Sequence, residues 1–157
     1  MSYIFWAIII VLIFIIQGKV SLFDVVPNFI FVVAYYAGIR GEKVYGTLLG
    51  SLIGAVQDSL SGIFLGPNLL SKGLVGYFSS CMSGSFFRWT PLLGIIGISI
   101  LTVFDGTVVF LSRSIFERMP VSIGTALFMV TLQSLINAPL GLFLKPRAIH
   151  HGSEGQK

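Results

Sequence analysis

Charge is what this chain has least of. Among its 157 residues only ten are Lys or Arg and six are Asp or Glu, 10% in all. A typical soluble domain carries roughly 25%. A soluble chain this short leaves much of its surface in water and must cover that surface with charge. Sixteen such residues cannot do so, which excludes a soluble helical core. Histidine is almost missing as well. His150 and His151 stand side by side near the C-terminus and read as tail residues, not as metal ligands. Their position rules out a Ser-His-Asp set, and neither GxxxxGK[ST] nor HExxH occurs. The single cysteine, Cys81, excludes an intrachain disulfide and reads as a small apolar filler in a helix. No enzyme activity, no metal and no cofactor are therefore expected.

What is present is apolar: 55% of the residues, with a mean hydropathy of +0.93. The class this implies is an all-α, polytopic integral membrane protein. A hydrocarbon core of about 30 Å needs about 20 apolar residues in a helix. Six segments fit or nearly fit, at 3–17, 25–39, 44–64, 67–87, 91–111 and 120–144. The second is short. The first lacks a basic n-region and a small-residue cleavage site, so it reads as a retained span and not as a signal peptide. One six-helix transmembrane domain is expected over 1–147, with a flexible cytoplasmic tail at 148–157. Pro27, Pro67, Pro91 and Pro120 stand at or near segment starts, where a missing N–H costs least. Pro139 falls inside the sixth segment and should kink it or end its regular part.

Six spans put both termini on one side. Arg40, Lys43, Arg88, Lys145, Arg147 and Lys157 lie there, against Lys19, Arg113 and Arg118 on the other. The bias places both termini in the cytoplasm. The net charge of +4 is thus a topology signal and does not point to nucleic acid. The same basic residues could also touch anionic lipid.

Two stripes of small residues carry the strongest pattern. Gly46, Gly50 and Gly54 recur every fourth position and end at Asp58. On the next segment Lys72, Gly76, Ser80 and Gly84 repeat the spacing. Small residues four apart let membrane helices bring their backbones close together. The two stripes predict a close hairpin of the third and fourth spans, packed on their small faces. Gln133 and Asn137 share a face of the sixth span and predict interhelical hydrogen bonds.

Three charges fall inside predicted spans: Asp58, Lys72 and Asp105. At a rise of about 1.5 Å per residue they lie about 9, 7.5 and 9 Å below the outer boundary. An ionisable group at that depth is costly and usually has a partner. An Asp58–Lys72 pair is expected across the short turn at Leu65-Gly66, with Lys72 snorkelling to the headgroups as the alternative. Asp105 is then left over, to be protonated, bonded to Gln133 or paired with a cation of another protein.

The run from Pro27 to Gly84 resembles MreD, the membrane protein of the bacterial rod-shape (elongasome) system. The matching elements are Pro27-Asn28, Arg40-Gly41, the stripe from Gly46 to Asp58, Leu65-Gly66-x-Asn68-x-Leu70, and Leu74-Val75-Gly76-Tyr77. Relatives often carry an acidic residue where Asn28 stands and a neutral one where Lys72 stands. The resemblance implies a non-enzymatic, multi-pass component of the bacterial inner membrane. Such a protein acts with an MreC-like partner and helps couple MreB filaments to peptidoglycan synthesis by RodA and its transpeptidase. It also implies a bundle similar to the substrate-binding subunits of energy-coupling-factor transporters. On the scaffold reading, Asp58, Asp105 and Asn68 help hold or receive a partner's membrane segment. The alternative is a solute- or lipid-binding transporter subunit with Asp58, Lys72, Asp105 and Asn68 around an outward-facing pocket. The absence of evident inverted repeats leans towards the scaffold.

Overall fold

A computed structural model of the chain describes residues 12, 15, 28–62, 65–82, 90–116 and 122–145. The first predicted span lies outside these residues, apart from Leu12 and Ile15, as do the tail at 148–157, Pro27, Gly84, Arg88 and Pro120. Within them the fold is all-α. Five helices follow one another: α1 Phe29–Arg40, α2 Lys43–Ser61, α3 Pro67–Met82, α4 Pro91–Phe116 and α5 Ile123–Asn137. A 3-10 turn, Ala138–Leu142, follows α5 directly.

Each boundary has a local cause. Asn28 opens α1 as its N-cap, its side chain accepting the Phe31 N–H at 3.1 Å. Gly62 closes α2 in the left-handed conformation, with φ of 64°. Pro67 and Pro91 are the first residues of α3 and α4. Helix α4 runs past the predicted end at 111 to Phe116, because Ser112, Arg113 and Ser114 are polar but not helix breakers. The Ser114 hydroxyl bonds back to the Phe110 carbonyl at 2.8 Å. The regular α-helix of the sixth segment ends at Asn137, and Pro139 sits in the 3-10 turn that follows.

The helices run antiparallel in succession. Along the α2–α3 seam the numbers rise on one helix as they fall on the other. Gly46 lies against Gly76 and Ser80, Gly50 against Lys72, and Gly54 against Asn68. The glycines do not face one another in register throughout. Instead the α2 glycines receive the backbone carbonyls of α3, whose Gly76 receives the Gly46 carbonyl in return. Helix α1 joins the same seam through Gly38, where an added Cβ would stand 2.5 Å from the Gly76 carbonyl oxygen. Ser80 fastens this corner with hydrogen bonds of 2.8 Å to the carbonyls of Gly38 and Gly76. Helices α1, α2 and α3 thus form one tightly seamed unit.

Helix α4 packs on this unit through side chains. Phe31, Tyr35, Ile39, Val75, Ile98 and Leu101 make the buried apolar cluster. Phe78 and Phe104 meet edge to face at 5.4 Å. Helix α5 packs on α4 through Gly106 against Val130, and the 3-10 turn seats Gly141 on the Gly94 carbonyl. The face of α2 opposite its glycines carries Val44, Leu48, Leu52, Val56 and Leu60, all exposed. Helix α5 leaves Ile123, Leu127, Phe128 and Leu135 exposed, and Asn137 is its one buried residue. The stretches Pro91–Phe116 and Ile123–Leu142 are long and apolar enough to cross a membrane.

Candidate functional site

The residues that should avoid burial most are almost wholly buried. Asp58, Lys72 and Asp105 are 1, 0 and 2% exposed, and Asn68 is 4% exposed. All four meet at one end of the bundle, where α2 stops, α3 starts and α4 passes its midpoint.

Asp58 does not pair with Lys72, which corrects the pairing expected from the sequence. It caps α3 from outside the helix. Its carboxylate accepts the N–H groups of Gly66 at 2.9 Å, Asn68 at 3.1 Å and Leu69 at 3.0 Å. The Asn68 side-chain amide adds a fourth donor at 2.8 Å. The first N–H groups of any helix lack intrahelical partners, and the helix dipole favours an anion there. The turn through Gly66, with φ of 154°, brings those groups back over the end of α2. Several hydrogen bonds to the charged form, not an opposite charge, satisfy Asp58.

Lys72 pairs with Asp105 instead. Its ammonium lies 3.1 Å from both Asp105 oxygens and donates to Asn68 Oδ1 at 2.8 Å. It does not snorkel, and Asp105 is not left over. Asp105 also accepts from the Ser71 hydroxyl and from Asn28 Nδ2, the latter at 2.9 Å. Donors from α1 and α3 thus stand where Gln133 or a foreign cation was expected. The sequence suggested the Asp58 pair because the turn between α2 and α3 is short. The turn's own N–H groups claim Asp58 first, and Lys72 faces α4.

Asn68 is the common member. Its Nδ2 serves Asp58 and its Oδ1 serves Lys72, so one amide separates the two carboxylates' networks. Asn28 has a double part, capping α1 with Oδ1 and holding α4 with Nδ2. Neither Asn28 nor Ser71 was singled out as a cluster member from the sequence. Asn28 had a signal, since an Asn before an apolar run marks a helix start. Ser71 lies three residues from Asn68 and so shares its helix face.

The two amides of α5 separate. Asn137 is fully buried, with Nδ2 3.5 Å from Thr102 Oγ1 and no partner for Oδ1 among the described residues. Gln133 is half-buried. The Asn137–Thr102 contact is the interhelical hydrogen bond expected of Asn137, and a second one runs from Ser134 Oγ to the Ser99 carbonyl at 3.2 Å.

Towards the other end of the α3–α4 seam the helices enclose an open groove of about 440 Å³. Phe78, Cys81 and Met82 line it from α3, and Leu93, Ile96 and Ile100 are among the α4 residues opposite. The cluster and the groove are therefore distinct: one is polar and closed, the other apolar and open. Among the described residues no group of three His, Cys, Asp or Glu side chains could hold a metal ion. No protein-family model, no curated protein and no solved structure matches this chain.

Proposed function

We propose that this chain is a six-span, non-enzymatic component of the bacterial inner membrane that works in cell elongation. In this reading both termini are cytoplasmic. It binds an MreC-like membrane protein and helps couple MreB filaments to peptidoglycan synthesis by RodA and its transpeptidase. The observation that carries the proposal is the ordered MreD-like block from Pro27 to Gly84, a little over a third of the chain. The membrane setting is supported by the exposed apolar faces of α2 and α5 and by the two helices of spanning length.

The geometry changes the part given to the charged cluster. Asp58, Asn68, Lys72 and Asp105 spend their hydrogen bonds on one another and on neighbouring backbone and side chains. With at most 4% exposure they offer a partner little to touch. The cluster acts as an internal lock, and a partner meets the apolar outer faces of the helices. The same closure weighs against a solute pocket built on these residues. A lipid-binding role keeps one supporting observation, the apolar groove between α3 and α4.

Depletion of this chain in its own host tests the proposal. Rod-shaped cells should widen and become round while peptidoglycan synthesis loses its ordered sites. Normal width and growth after full depletion would remove the elongation role.

A further inference from the structure

The cluster holds two carboxylates but one ammonium, and the two carboxylates are one amide apart. Lys72 Nζ lies 2.8 Å from Asn68 Oδ1, and Asn68 Nδ2 lies 2.8 Å from Asp58 Oδ1. We infer that Lys72 is a swing cation with two stations: Asp105, where it stands here, and Asp58, reached when the Asn68 side chain turns aside. The move would set how firmly α4 is held to the α1–α3 unit.

Three observations carry this. First, helix side chains lean towards the helix N-terminus. The Lys72 stem therefore points along α3 towards Asn68, four residues earlier, and towards the cap that Asp58 makes. The four-carbon stem of lysine is flexible, and its ammonium has no fixed donor plane. Second, Asp58 Oδ1 has to give up only the Asn68 Nδ2 bond to take the ammonium, since its other donor, the Asn68 N–H at 3.1 Å, is shared with Oδ2. Its bonds from the Gly66, Asn68 and Leu69 N–H groups stay in place. Third, when the cation moves, the cluster as a whole keeps its one ammonium, and Asp105 keeps Asn28 Nδ2 and the Ser71 hydroxyl as donors.

The consequence is mechanical. Helices α1, α2 and α3 are seamed backbone to backbone, and no position of Lys72 alters that seam. Helix α4 depends on side chains, with Asp105 receiving donors from both α3 and the α1 cap. Beyond Phe78 and Phe104 the same seam widens into the apolar groove. With Lys72 on Asp105, α4 is strapped by a charge pair. With Lys72 on Asp58, only neutral donors hold it. This inference stands on the geometry of the cluster and does not depend on the elongation role.

A mutant cycle tests it. Asp58→Asn, Asp105→Asn and the double variant are made twice, with Lys72 retained and with Lys72→Met. The fraction of monodisperse protein left after heating in detergent gives an apparent Tm for each. With Lys72 retained, Asp105→Asn alone should be tolerated, because Asp58 takes the cation. The double variant should then fall at least about 4 °C further than the two single changes together. With Lys72→Met that excess should vanish.

Additive changes with Lys72 retained, or an excess that persists with Lys72→Met, would overturn the inference. So would Asp105→Asn protein that yields no monodisperse peak, since the cation would then have no second station. If Asp58→Asn itself fails to fold, solid-state NMR on Asp105→Asn protein in bilayers decides the matter. A contact of about 4 Å between Lys72 Nζ and the Asp58 carboxylate is expected. Lys72 remaining apart from Asp58 in that sample would refute the swing.

Discussion

Replacing Gly50 by alanine adds one methyl group and should separate two helices. The new Cβ would overlap the Lys72 carbonyl oxygen, stand 2.9 Å from the Lys72 carbonyl carbon and 3.3 Å from the Gly73 nitrogen. All three are backbone atoms, so no rotamer change relieves the overlap, and α2 and α3 must move apart. Overpacking of this kind costs about 1–3 kcal/mol. The movement also draws Lys72, the residue struck, away from Asp105. Gly124 is the matched control. It too lies in a helix, but its nearest neighbour for an added Cβ is the Ser122 hydroxyl at 3.9 Å. Alanine there should gain up to about 1 kcal/mol in helix propensity. For a domain of this size 1 kcal/mol shifts Tm by about 2–4 °C. In detergent Gly50→Ala should therefore lower the apparent Tm by about 2–12 °C, while Gly124→Ala leaves it unchanged or raises it. Equal Tm values for the two variants would refute the backbone seam.

Lys72→Met strands the Asp105 carboxylate with neutral donors and should cost about 3–5 kcal/mol, most of it recovered in Lys72→Met with Asp105→Asn. Thermal denaturation of the two proteins checks this. Asn137→Leu removes a buried amide whose Oδ1 has no partner among the described residues, so it should cost less than about 1 kcal/mol, read the same way. Cys81 lines the apolar groove and is partly exposed. In membranes an uncharged maleimide should label it readily and a charged one slowly, with the difference lost in detergent. Equal rates in membranes would place the groove in water.

The glycine stripes were legible because close approach of two helices demands small residues at a fixed spacing, and no other residue type satisfies it. Helix starts at Pro67 and Pro91 and the end of regular helix before Pro139 were legible because proline lacks the N–H that a helix interior needs. The three buried charges were visible as charges in apolar segments. Their pairing was not, because a sequence does not list backbone donors. Asp58 finds its partners in the N–H groups of Gly66, Asn68 and Leu69, which every residue but proline carries. Ser71 and Asn28 escaped notice as common polar residues whose importance comes only from facing Asp105. The groove was not visible at all, since the residues that line it do not differ in kind from those that fill the core.

Co-expression with the MreC-like protein of the same cell, followed by purification through a tag on this chain, tests the central claim most directly. The account predicts a stable complex of fixed stoichiometry in detergent. It further predicts that this complex survives Lys72→Met with Asp105→Asn, because the cluster faces inward. A well-folded chain that elutes alone would contradict the elongation role. Loss of the partner with the bundle intact would contradict the reading of the cluster as an internal lock.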